Sequence, residues 1–113
     1  MAFLGVRLIF KDGVLTAVLS GEIDHHSARE IRTEIDSTAS KVKPRMLILD
    51  FSAVRFMDSS GVGLIMGRCK LMQVWDGLVE IHNLPPNIER IVSLAGLERL
   101  CTIRRGNSNE TDE

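Results

Sequence analysis

Three times along this chain a short, nearly continuous apolar run gives way to a longer segment whose apolar residues recur at helical spacing. The runs are VLTAVL (14–19), MLILDF (46–51) and LVEIHNL (78–84). Short apolar strands joined through helices call for a parallel sheet, because parallel neighbours need a long crossover between them. Ala28, Ile31, Ile35, Ala39 and Val42 supply the first helical stripe, and Ile88, Ile91, Val92 and Ala95 the third. A second helix is expected from about Ser60 to Val74. Ahead of these units, Val6, Leu8 and Phe10 alternate with Arg7 and Lys11, as in an edge strand with one wetter face. Asp12-Gly13 is a two-residue hairpin signal that returns the chain into VLTAVL, which reads as covered on both faces. Leu100 to Ile103 makes a last short strand. The predicted order is β-β-α-β-α-β-α-β: a single α/β domain with a mixed sheet of about five strands and helices packed against it.

Local chemistry punctuates the same plan. Asp24 can cap the first helix, and Ser27 with Glu30 offers a capping pattern slightly later. Pro44 stops that helix, Asp76-Gly77 turns the chain into the 78–84 run, and Pro85-Pro86 opens the third helix. Gly96 is placed to end it, with Leu97 supplying the apolar contact that follows. With 113 residues and no internal linker, residues 1–105 are expected to form one domain. GNSNETDE (106–113), which lacks any large apolar residue, is expected to be a flexible tail. The formal net charge of −1 argues against an electrostatic nucleic-acid binder. Two distant cysteines, Cys69 and Cys101, read as small apolar residues of a reducing cytoplasm. The first residues are too short an apolar run, and too charged, for a signal peptide or membrane span, so a cytoplasmic location is expected.

The chemistry concentrates in Phe56–Arg68, FMDSSGVGLIMGR. Gly61, Gly63 and Gly67 match neither the dinucleotide fingerprint nor a Walker A loop, and no Lys-Ser/Thr pair follows to hold phosphates. D-S-S-G is not the G-x-S-x-G of a nucleophile elbow, and a base for Ser59 or Ser60 would have to come from His25, His26 or His82. His25 and His26 are adjacent, so on a helix they diverge by about 100° and share one metal poorly. No cofactor and no metal is expected. What remains is a loop presenting hydroxyls at a helix N-terminus, where Asp58, Ser59 or Ser60 can cap free N–H groups. A hydroxyl there can also take a phosphate without melting the fold, since the helix dipole favours the added charge. On the helix behind it, Val62, Ile65, Met66, Cys69 and Met72 form the expected core arc. The opposite arc carries Ser60, Gly63, Leu64, Gly67, Leu71 and Val74, with Arg68 and Lys70 at its margins, and is expected to be an open docking surface.

With GEIDHHSARE at the first helix start, FMDSSGVGLIMGRCK in the middle and SLAGLERL near the end, the chain resembles the anti-sigma factor antagonists, stand-alone members of the STAS domain family. It looks most like their sporulation branch. The resemblance implies a regulatory protein and not an enzyme. Its partner would be an anti-sigma factor with serine kinase activity, which the unmodified antagonist binds so that sigma is released. Phosphorylation of the first serine of D-S-S-G, which matches Ser59, would switch binding off, and a phosphoserine phosphatase would restore it. Asp24, His25, Asp58, Ser59, Ser60 and Gly61 would meet the partner with the outer arc of the helix, Gly63, Leu64, Gly67 and Leu71. Neither nucleic acid nor membrane is expected as a partner. A STAS module of a transporter, lipid-transfer or stress-signalling complex, and a small serine hydrolase, stand as the alternative readings.

Overall fold

Five strands share one sheet in the order β1-β2-β3-β4-β5 in the computed structural model, which describes residues 5–104. They are β1 (Val6–Lys11), β2 (Val14–Ile23), β3 (Met46–Met57), β4 (Leu78–His82) and β5 (Thr102–Arg104). β1 and β2 form an antiparallel hairpin, and every later pair is parallel. The hairpin turns where expected: Asp12 has φ 53° and Gly13 φ 80°, the positive pair that a tight two-residue turn requires. Between the parallel strands run α1 (His25–Val42), α2 (Ser59–Gln73) and α3 (Pro86–Leu94). With strands added in sequence order, right-handed crossovers all land on the same side of the sheet.

The burial pattern follows from that one-sidedness. Leu15, Ala17, Leu19, Leu47, Leu49, Phe51 and Ile81 are wholly buried and face the helices. α1 answers them with Ala28, Ile31, Ile35 and Ala39, and α3 with Ile88 and Val92. Each Leu, Ile, Val or Phe among them contributes about 1.5–3 kcal/mol when taken fully from water, the alanines less. The alternate residues of β2, Val14, Thr16 and Val18, are only half-buried. VLTAVL is therefore not covered on both faces as its composition predicts; flanking strands shade its outer residues, but no second layer of helices does.

The caps follow local chemistry with one shift. Asp24 is the N-cap of α1, and the capping box is Asp24 with Ser27, one turn earlier than Ser27 with Glu30. Pro86 opens α3, Gly96 adopts φ 70° beyond its end, and Leu97 is buried after it. β3 runs six residues past the expected Phe51. Its pairing with β2 shifts register between Val18 and Ser20 and again between Gly21 and Glu22. These irregularities spoil the two-residue alternation, leaving Phe51, Val54 and Met57 buried at every third position. No helix of the described residues is long and apolar enough to cross a membrane. The expected tail, 106–113, lies outside the described residues.

Candidate functional site

The extension of β3 builds the site. Ile23 and Met57, the last residues of β2 and β3, are register partners. Because these parallel strands end level, the residues that follow them, Asp24 and Asp58, start α1 and α2 side by side. A hydrogen bond from Asp58 N to Ile23 O (3.1 Å) ties the two ends together.

Both aspartates cap the helix they precede. Asp24 Oδ1 accepts from Ser27 N at 2.9 Å, and Ser27 Oγ accepts from Asp24 N at 3.0 Å. The Ser27 backbone bond holds the Asp24 carboxyl below the usual carboxylate range. Asp58 Oδ1 accepts from Ser60 N at 2.8 Å. With Asp58 as the cap, the Ser59 hydroxyl is not needed to close the helix, and Ser59 stands exposed at the first position of α2. Gly61 lies directly above Met57. A Cβ there would collide with the buried Met57 side chain, so glycine lets α2 settle on the end of β3.

Between α1 and α2 a cleft of about 330 Å³ opens beside the serines. His25, Arg29 and Arg32 line it from α1, and Ser60, Gly63 and Leu64 from α2. Arg29 and Arg32 were not singled out from the sequence, since charges between the apolar positions of a helix read as a solvated face. Among the described residues neither serine hydroxyl is hydrogen-bonded to His25, and no cluster of three or more His, Cys, Asp or Glu is placed to hold a metal.

α2 is turned from its expected orientation by about 60° on the helical wheel. Leu64 (4% exposed) and Arg68 (5%) are buried instead of lying on an open arc, and Met66 (36%) is exposed instead of lying in the core. The reason is α1. Arg68 reaches across to Asp36, Nε to Oδ1 at 2.8 Å and Nη2 to Oδ2 at 3.1 Å, and donates from Nη1 to Leu64 O at 3.1 Å. Burial raises the Asp36 pKa against the pull of Arg68, and burial lowers that of Arg68. The surface left open is narrower than expected. It carries Ser59, Gly63, Met66, Lys70 and Val74 exposed, with Ser60, Gly67 and Leu71 half-buried. A Cβ at Gly63 or Gly67 would meet nothing within 4 Å. Asp24, His25, Asp58, Ser59, Ser60 and Gly63 are therefore brought together at one end of the molecule. Gly67 and Leu71 continue down α2, whereas Gly61 and Leu64 are buried beneath it.

The family model for the STAS domain matches residues 6–108. The chain belongs to the STAS domain family. Among curated STAS relatives, the anti-sigma F factor antagonist of Paenibacillus polymyxa is 33% identical over 110 residues, covering 97% of this chain and 94% of that protein. The anti-sigma F factor antagonist of Lysinibacillus sphaericus is 33% identical over 79 residues, 70% of this chain and 68% of that protein. Among solved STAS structures, the anti-sigma factor antagonist SpoIIAA in its unphosphorylated form superposes with a TM-score of 0.78 at 27% identity, covering 91% of this chain and 90% of that one. The phosphorylated form of the Bacillus cell fate determinant SpoIIAA gives 0.71 at 27% identity, covering 91% and 94%.

Proposed function

We propose that this STAS domain is an anti-sigma factor antagonist whose partner is an anti-sigma factor with serine kinase activity. The unmodified chain binds that partner and releases sigma. Phosphorylation of Ser59 ends the interaction, and a phosphoserine phosphatase restores it. The setting is the cytoplasm of a sporulating cell, and the chain is a substrate in this cycle, not an enzyme. One observation carries the reading: Ser59 is exposed at the start of α2 and is spared from capping by Asp58, beside a helix face of mostly small and apolar residues. Relatives named anti-sigma F factor antagonists support it, as does a neighbour described in a phosphorylated form.

The physical consequence of modification is local. Phosphate adds about −1.5 to −2 charges next to the Asp58 carboxylate, at a point the partner must desolvate. The helix dipole tolerates that charge within this chain, while a partner closing over Gly63 and Gly67 does not. A coupling of ~1–3 kcal/mol changes affinity about 5–150-fold, enough for a switch with no rearrangement of the fold.

The test is incubation with the cognate anti-sigma kinase and ATP, followed by mapping of the modified residue. Ser59→Ala is expected to block modification and keep partner binding, and Ser59→Asp to weaken binding. Equal affinities of the two variants would refute the mechanism, and phosphate on Ser60 alone would refute the site.

A further inference from the structure

Cys69 in α2 and Cys101, just before β5, are 32 positions apart in sequence and have no role in the site above. The fold brings the two side chains to one place, near enough that each thiol shifts the pKa of the other. Both also line one cavity of about 200 Å³ on the flank of the domain, with Gln73 and Leu100 among its other walls. Cys69 is otherwise buried and Cys101 half-buried. We propose that Cys69 and Cys101 form a dithiol that a small hydroperoxide oxidises to an intramolecular disulfide.

The environment divides the labour between the two sulfurs. The Cys101 thiol, interacting with the Cys69 sulfur, lowers the Cys69 pKa against its burial, and the Arg68 guanidinium acts in the same direction. The same contact, together with burial, pushes the Cys101 thiol up. That thiol donates to Leu97 O at 3.4 Å, which holds the hydrogen on Cys101. Cys69 is therefore the attacking group and Cys101 the resolving one. The Cys69 sulfur attacks a peroxide oxygen and the O–O bond breaks. The leaving oxygen departs as water (or alcohol) with the proton Cys69 gave up, and Cys69 sulfenic acid remains. The Cys101 sulfur then attacks Cys69, the S–O bond breaks, and hydroxide leaves as water with the Cys101 proton. Two thiols and one hydrogen peroxide become one disulfide and two waters. A cavity this size admits hydrogen peroxide and excludes a protein oxidant. The bond would tie α2, which presents Ser59 at its other end, to the entry of β5.

The experiment treats the reduced full chain with hydrogen peroxide at low protein concentration. Intact mass and a non-reducing peptide map then read the product. A loss of two hydrogens in the monomer, with a Cys69–Cys101 linked peptide that dithiothreitol separates, is the expected result. Cys101→Ser should stop at a sulfenic acid on Cys69 that dimedone traps, and Cys69→Ser should leave Cys101 unoxidised under the same dose. Full alkylation of both thiols after peroxide, or cross-links only between chains, overturns the proposal. The wild-type measurement stands whether or not either variant folds.

Discussion

Gly63 and Gly67 lie in the interior of α2, where glycine is a poor choice for stability. Each disfavours the helix by about 0.8–1.0 kcal/mol relative to alanine, because the unfolded chain loses more conformational freedom there. Glycine in a helix is retained for packing when a Cβ would collide with a neighbour, as at Gly61 over Met57. At Gly63 and Gly67 nothing lies within 4 Å of the missing Cβ, so within this chain the space is free. Alanine at both positions is therefore expected to stabilise the domain by about 2 kcal/mol. At about 4–8 °C per kcal/mol for a domain this small, the thermal midpoint should rise by ~8–16 °C. If the absent Cβ atoms let a partner's backbone approach α2, the same pair of methyl groups should weaken anti-sigma factor binding at least tenfold, about 1.4 kcal/mol. Thermal unfolding and titration calorimetry on one preparation read both effects. A stabilised double variant with unchanged affinity would refute the docking role of this face. A destabilised one would refute the structural premise that the space is open.

Three further outcomes follow from the same geometry. Asp58→Ala removes the cap on Ser60 N and should cost about 0.5–2 kcal/mol in denaturant unfolding, whereas Ser59→Ala should move stability by less than ~0.5 kcal/mol. Arg68→Met alone leaves the partly exposed Asp36 without its partner and should destabilise by about 1–3 kcal/mol, while Asp36→Leu combined with Arg68→Met should recover most of that loss. Glu80 is held below the ordinary carboxylate range first by His82, 2.9 Å away, and also by Arg104. Asp50 is lowered too, because hydrogen bonds from Ser52 and Asn83 together outweigh its burial. A carboxylate whose folded pKa is depressed contributes stability that is present above its unfolded pKa and lost as pH falls through the folded one. Unfolding midpoints should therefore drop below pH ~4.5, and Glu80→Gln should shrink that drop; an unchanged acid profile in the variant would contradict the assignment.

What was legible in the sequence was what neighbours in sequence decide. Asp12-Gly13 announces its turn because few residues tolerate positive φ, and Pro86 and Gly96 mark the ends of α3 for reasons internal to a few residues. The orientation of α2 was not of that kind. Its apolar and small residues run nearly round the helix, from Val62 and Leu64 to Met66, Leu71 and Val74, so no single face stands out as the core. The deciding contact is between Arg68 and Asp36, 32 positions earlier, and only the packing of α1 on α2 reveals it. The length of β3 was hidden in a similar way: its bulges replace alternation with burial at Phe51, Val54 and Met57, and no strand period describes that. The cleft residues Arg29 and Arg32 were legible as helical and charged, but not as neighbours of Ser60.

That hidden length is what would let a serine at this place be modified without loss of the fold. Had β3 stopped at Phe51, the residues before α2 would have formed a free loop, and Asp58 would not be tied to Ile23. With β2 and β3 ending level, the backbone of Asp58 is fixed by the sheet and its carboxylate by Ser60 N. Gly61 then seats the first turn on Met57. The constraints on the helix start described above fall on residues other than Ser59. A phosphate added at Ser59 would therefore break no contact inside the chain, and on the proposed reading its main effect would fall on whatever binds there. The division is testable without a partner: phosphorylated and unmodified chains should unfold at nearly the same denaturant midpoint. A fall in midpoint equivalent to more than ~1 kcal/mol would show that Ser59 does bear part of the fold.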